Sequence, residues 1–302
     1  MSKKTIVNIK RHKYIYIMLI PIMLFFIVFK YLPMYGIQLA FKEYSIADGI
    51  TGSPWVGFDN FTRLIGEENF WIAFKNTIII SFMKIIIGFP IPIILAILIN
   101  EISFTKFKKV TQVIYTFPHF LSWVILSSIM FNLLSSNGAV NNLIALLGLQ
   151  RYNFLTNTET FRYLLVFSES WKEAGWGTII YIASILSIDP ALYEATKIDG
   201  ANRLDKILHI VWPGIRSVVV TMFILQIGRI MTAGFMQVFN LYNPTVYSVA
   251  DILDTYVYRI TFNMLPDFGF STAVGLFTSV INFVLLMSAD FIAKRLGQKG
   301  IS

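Results

Sequence analysis

Long apolar runs are what most constrain this chain. Near residues 14–32, 77–99, 113–134, 161–187, 214–239 and 268–293 it offers stretches of about twenty mostly apolar residues, the length a helix needs to cross a bilayer core of ~30 Å. Lipid satisfies no backbone hydrogen bond, so an open strand edge or bare loop cannot stand there and each run is expected to be helical. The expected class is therefore an all-α integral membrane protein with about six transmembrane helices. Composition agrees: of 302 residues, 56% are hydrophobic and only 14% charged, outside the range of an ordinary soluble domain. The 27 Phe and 14 Tyr supply aromatic bulk suited to lipid and its interfaces.

A net charge of +8 could point to nucleic acid, but the basic residues lie in short segments between the apolar runs. Lys3, Lys4, Lys10, Arg11 and Lys13 precede the first run; Lys106, Lys108 and Lys109 follow the second. Lys197, Arg203, Lys206 and Arg216 follow the fourth, and Lys294, Arg295 and Lys299 follow the last. The alternate loops hold only Lys42, Arg63, Lys75, Arg151, Arg162 and Arg259 over much longer lengths. The excess marks the cytoplasmic side, and an even number of spans puts both termini there. The expected layout is a cytoplasmic segment over 1–13, one transmembrane domain over 14–293 and a cytoplasmic tail over 294–302. The first run is read as an uncleaved anchor, because Tyr31-Leu32-Pro33-Met34-Tyr35 offers no small-residue cleavage site. With no cysteine, the chain has neither a disulfide framework nor a thiolate metal site.

The segment 188–213 stands apart from the other loops. Asp189-Pro190 has the form of a helix start, a side-chain cap followed by proline at the first helical position. Gly200 is placed to end that short helix in a left-handed conformation. Leu204, Ile207, Leu208 and Val211 then recur at helical spacing, with Arg203, Asp205, Lys206 and His209 on the other face. The pattern predicts a two-helix cytoplasmic elbow, one face toward the membrane and one offered to water or a partner.

These residues also carry a resemblance. The inner-membrane permeases of ABC importers that work with a separate binding protein share a cytoplasmic EAA motif: Glu-Ala-Ala, three residues, Gly, nine residues, Ile, one residue, Leu-Pro. This chain has Glu194-Ala195-Thr196, Gly200, Ile210 and Trp212-Pro213 at that spacing, with Thr196 and Trp212 as departures at packing positions. Leu192-Tyr193 and Ile198-Asp199-Gly200-Ala201 resemble the sugar-importing branch, and so does Gly57-Phe58-Asp59-Asn60-Phe61. The segments 117–124, 241–247 and 254–259 are similar to a narrower subgroup, the LplB-like permeases, associated with oligosaccharides from complex polysaccharides, uronic-acid-containing ones among them. The resemblance implies a permease of the bacterial cell membrane that forms half of a translocation path. It implies four kinds of contact: a second homologous permease, two cytoplasmic ATPase subunits, an extracytoplasmic sugar-binding protein, and membrane lipid. Nucleic acid is not among the expected partners. It further implies that Glu194, Ala195, Thr196, Asp199, Gly200, Ile210 and Pro213 couple to the ATPase, which would bind ATP and Mg, with no cofactor and no covalent chemistry in this chain.

Other classes fit less well. No G-x-x-x-x-G-K-[S/T] loop occurs to cradle ATP phosphates. The three His are scattered, and no metal-ligand cluster or catalytic pair appears. Gly269-Phe270-Ser271-Thr272-Ala273 has the outline of a nucleophile elbow but opens a membrane span instead of joining strand to helix. A membrane-embedded enzyme and a secondary transporter remain as the rival classes, the latter requiring ionisable residues at mid-membrane.

The few charges within the runs deserve individual reading, since a charge at the bilayer centre costs ~2.5–3.5 kcal/mol on insertion scales and is normally turned to a cavity or partner. Apart from Lys30, Arg162 and Arg216 near the run ends, they are Lys84, Glu169, Lys172, Glu173, Arg229 and Asp290. Glu169, Lys172 and Glu173 are spaced to share a helix face and are expected to form a local ion cluster; Asp290 is expected to pair with Lys294. For Arg229 two readings stand, lining a sugar path or pairing with a carboxylate on a neighbouring span. Candidates for the substrate path are Arg229, Lys172, Glu169, Trp171, Gln226, Phe235, Gln237 and Asn240, with Trp123 and Trp176 as further aromatic faces.

Overall fold

The computed structural model describes residues 12–198, 200–263 and 266–297. Among them the chain is helical nearly throughout, with one isolated antiparallel bridge between Lys42 and Trp55. Five helical stretches are long and apolar enough to cross a bilayer: Lys13–Phe41, Glu68–Asn100, Trp123–Leu146, Arg203–Ile227 and Phe268–Arg295. Phe161–Leu186 makes a sixth when taken with Pro190–Thr196, to which it is bent by 73°. Its internal charges lower its own hydropathy, which is why length alone does not single it out.

The expected spans hold at the fourth and sixth runs and shift elsewhere. The second helix starts at Glu68, ahead of the expected 77, because Phe70, Ala73, Asn76 and Ile80 already bury one face of it. The third was expected over 113–134. Instead a helix over Thr105–Thr116 gives way to a 3₁₀ turn at Phe117–Phe120, and the apolar helix begins at Trp123. Pro118 cannot donate to the preceding turn, and Ser122 caps the new start by accepting from Ile125 N–H at 3.3 Å. The fifth span, expected unbroken over 214–239, ends at Ile227, and a short helix resumes at Phe235–Leu241.

Three π-turns share a cause. Ile27–Tyr31, Lys84–Gly88 and Ile207–Val211 each end two residues before a proline, namely Pro33, Pro90 and Pro213. Proline has no N–H to give the carbonyl four residues back, and its ring crowds that carbonyl, so the helix widens there.

Two compact units divide the chain: Met1–Gly66 with Ile260–Leu276, and Glu67–Arg259 with Phe277–Ser302. In the first, Asn60 Nδ2 donates to the carbonyls of Ala40 and Lys42, both at 3.1 Å, while Phe58 and Phe61 pack on the Phe41 ring. Arg63 pairs with Asp267 at 2.5 Å and lies over Phe270. The first span is exposed from Lys13 to Tyr35, so those side chains are left for lipid or another subunit.

Among the described residues of the second unit, two cores are formed. One gathers Ile80, Phe161, Leu165, Val238, Leu241, Val246, Ala250 and Ile252; the other gathers Ile93, Ala96, Tyr181, Ile185, Val211 and Ile215. Between the fifth and sixth spans, residues 243–259 are pinned by polar side chains. Asn76 Nδ2 donates to the carbonyls of Ser248 and Asp251 at 3.2 and 3.1 Å, and Arg162 reaches Asn76 Oδ1 and the Val249 carbonyl at 2.8 and 3.0 Å. Arg259 grips Asp251 with both arms, at 3.0 and 2.6 Å. Thr255 Oγ1 donates to Asp251 Oδ1 at 2.8 Å and accepts from Ile252 N–H at 2.9 Å. Asn243 also caps its own turn, accepting from Thr245 N–H at 3.1 Å and donating to the Leu155 carbonyl at 2.9 Å.

Candidate functional site: a charged cavity and a two-helix elbow

The elbow forms as its residues dictate. Asp189 Oδ1 accepts from Ala191 N–H at 2.9 Å, opening the helix Pro190–Ile198. Gly200 has φ +70°, a region disfavoured for side chains with a Cβ, and Ala201 N–H returns to the Thr196 carbonyl at 3.0 Å, the bond that closes a Schellman turn. Asn202 and Asp205 then form a capping box, each side chain accepting from the other's backbone at 3.0 Å. Glu194 and Ala195 stand exposed, while Thr196 bonds back to the Tyr193 carbonyl at 2.9 Å. Asp199 lies outside the described residues.

The second elbow helix differs from expectation. It is not a separate element ending at Pro213 but runs from Arg203 into the fifth span as far as Ile227. The π-turn at Ile207–Val211 also shifts its faces: Ile210 and Val211 are buried, whereas Leu204 and Leu208, expected on the packed stripe, are exposed at 64% and 52%.

Between the second, fourth and fifth spans lies a cavity of about 830 Å³. The fourth helix contributes Glu169, Ser170, Glu173, Ala174, Trp176 and Gly177, which recur at three- and four-residue spacing along one face. The second contributes Ser81, Lys84 and Phe89, and the fifth contributes Gln226, Arg229, Thr232, Phe235 and Gln237 around its break. Trp123 and Asp254 complete the polar and aromatic lining.

The charges in this cavity are not equally compensated. Lys84 Nζ stands 3.6 Å from Glu169 Oε2 and donates to the Ala233 carbonyl and Gln237 Oε1 at 2.7 and 2.6 Å. Glu173 lies 3.1 Å from Lys172 Nζ and 2.7 Å from His119 Nδ1. The His119 ring in turn stacks flat on Trp176, centroids 4.5 Å apart. Burial pushes the Asp254 carboxyl up from the ordinary carboxylate range, toward its neutral form. Arg229 is exposed to the cavity with no ion pair or side-chain hydrogen bond among the described residues.

Of the sequence candidates, Arg229, Glu169, Gln226, Phe235 and Gln237 line the cavity. Lys172, Trp171 and Asn240 do not. Lys172 is 6% exposed and donates to the His119 carbonyl at 2.7 Å; Trp171 falls on the far side of the helix and is 57% exposed. Asn240 turns back to the Met236 carbonyl at 2.7 Å. The expected single ion cluster splits in two, since Glu169 faces Lys84 and Glu173 faces Lys172. Asp290 and Lys294 pair at 2.8 Å as expected. Lys84, Thr232 and Asp254 were not among the candidates for the path; the signal for Lys84 was present, a lysine midway along an apolar run.

Comparison with known proteins places this architecture. At 44% identity over 300 residues, the chain is similar to the polygalacturonan/rhamnogalacturonan transport system permease protein YteP of Bacillus subtilis (strain 168), covering 99% of this chain and 93% of that one. Protein LplB of the same organism is 41% identical over 294 residues, covering 97% and 92%. Among solved structures, a bacterial alginate ABC transporter in complex with alginate pentasaccharide-bound periplasmic protein contains a chain of 39% identity that superposes with a TM-score of 0.89, over 97% of this chain and 98% of that one. A second, of a bacterial ABC transporter involved in the import of the acidic polysaccharide alginate, gives 38% and 0.90 over 98% and 100%. The family model for the inner membrane component of binding-protein-dependent transport systems matches residues 78–298, and this multi-pass membrane protein belongs to that family of ABC importer permeases.

Proposed function

We propose that this permease imports oligosaccharides bearing uronic-acid carboxylates, released from a complex polysaccharide. The observation that carries the reading is Arg229. A guanidinium in the membrane interior is costly without a counter-charge, and here it faces a cavity while the neighbouring ammonium groups each stand beside a carboxylate. A ligand carboxylate would meet that need in bidentate geometry. The relatives that transport polygalacturonan/rhamnogalacturonan and the acidic polysaccharide alginate support the same class of ligand.

On this reading the chain works with a second permease, two cytoplasmic ATPases and an extracytoplasmic binding protein, with both termini and the elbow on the cytoplasmic side. Glu194 and the turn at Gly200 dock the ATPase. Because the elbow's second helix is continuous with the fifth span, a push at Arg203 would travel to Ile227, at the edge of the cavity. ATP and Mg belong to the partner, and this chain supplies the path.

Arg229→Gln tests the ligand class, since it keeps hydrogen bonding and removes the charge. A charge-assisted hydrogen bond contributes ~1.5–3 kcal/mol, so uptake of an acidic oligosaccharide should fall by about ten- to a hundredfold relative to a neutral analogue. Equal loss of both would make Arg229 structural and end the acidic-sugar reading.

A further inference from the structure

The break in the fifth span has a foundation of its own. From Arg229 to Gly234 the backbone leaves the α-helical ladder: Arg229, Ile230 and Thr232 N–H turn back to the Gln226, Ile227 and Arg229 carbonyls at 3.1, 3.1 and 2.9 Å, and buried groups that remain are held from other elements. Met231 N–H donates to Asn282 Oδ1 on the sixth span at 3.1 Å. The Ala233 carbonyl accepts from Lys84 Nζ at 2.7 Å. That ammonium is held in turn by Gln237 Oε1, and Gln237, fully buried, donates to the Leu165 carbonyl and Ser168 Oγ at 2.6 and 2.8 Å.

The seat is closed to other side chains. Gly234 has φ +93°, and a Cβ there would come within 2.9 Å of Lys84 Nζ. The positive φ is what calls for glycine here, since Lys84 Nζ is the mobile end of its side chain. Pro90 contributes from a distance, because the π-turn it imposes begins at Lys84. Glu169 Oε2, 3.6 Å from Lys84 Nζ and without a hydrogen bond among the described residues, offsets that charge, whereas Arg229 has no ion pair among them and faces the cavity.

We propose that Lys84 is the positioning residue for charge selection. By holding the Ala233 carbonyl it fixes the unwound segment so that Arg229 and Thr232 stand in the cavity, without itself binding the ligand. The inference rests on the acidic-sugar reading above, and its test is chosen so that the two fail separately.

The chain has no cysteine, so Thr232→Cys gives it a single thiol on the unwound segment. In the assembled transporter in membrane vesicles, an anionic and a cationic methanethiosulfonate of similar size are compared by their rates of reaction with this chain. With Lys84 and Gly234 intact, the anionic reagent should react severalfold faster, drawn by Arg229. Two variants displace the segment without changing net charge: Lys84→Met combined with Glu169→Gln, and Gly234→Ala alone. In both, the rate ratio should fall toward one. An unchanged ratio in both overturns the proposal, and so does loss of both proteins from the membrane, which would make Lys84 a folding residue. A ratio that ignores Arg229→Gln in the otherwise intact Thr232→Cys chain would instead remove Arg229 from the ligand reading.

Discussion

Lys172 and Arg229 look alike in the sequence, two cations inside apolar runs, yet the structure gives them opposite surroundings. Lys172 bonds the His119 carbonyl and stands beside Glu173, so it ties the fourth helix to the 3₁₀ turn at Phe117–Phe120. Lys172→Met should leave the preference for acidic ligands unchanged. It should also strip partners from two polar groups, at ~1–3 kcal/mol each, and lower the melting temperature of the purified complex in detergent by several degrees. A loss of charge preference in that variant would put Lys172 back in the path. Hydropathy could not separate the two lysine and arginine environments, because helical periodicity sorts faces and does not say what packs against them. Trp171 is the reverse case, since its two-residue offset from both Glu169 and Glu173 already placed it on the far side of the cavity face.

The proposed coupling and binding elements meet in one helix, Arg203–Ile227, with glycines beyond both of its ends. Gly200→Val forces a β-branched residue to φ +70°, a strain of ~1–2 kcal/mol that would unwind the turn between the elbow helices. Glu194→Lys reverses an exposed charge on the first of them. Each should abolish ATP-driven uptake while the protein remains in the membrane at normal abundance. Uptake and substrate-stimulated ATP hydrolysis that persist in both variants would show that the elbow does not couple. The first half of the elbow was legible in the sequence because its determinants are local, a cap at Asp189 and a left-handed glycine at 200; the capping box at 202–205 and the continuity of the second helix came from the structure. The break after Ile227 was not legible. It depends on Lys84, more than a hundred residues earlier, and on Asn282 in the last span, so an apolar run that looks continuous is interrupted by tertiary contacts. The shortened third span lies between these cases: Pro118 is plain in the sequence, but whether a proline kinks a span or ends it depends on what caps the chain after it, here Ser122.

For the whole molecule, the account predicts a sidedness. The basic segments and the elbow face the cytoplasm, and the loop around 150–160 faces out. In this cysteine-free chain a single cysteine at Asn202 should resist a membrane-impermeant thiol reagent in intact cells, while one at Thr158 should react. Reaction at Asn202 from outside would contradict six spans. This permease is expected to serve an ATP-driven importer selective for acidic oligosaccharides. The most direct test reconstitutes the complete complex in liposomes, with the binding protein outside, and follows entry of a uronic-acid oligosaccharide. The account predicts accumulation that requires ATP at the ATPase face, is indifferent to ion gradients, and is competed by acidic oligosaccharides far better than by neutral ones of the same length. Accumulation driven by an ion gradient without ATP, or equal competition by neutral sugars, would contradict it.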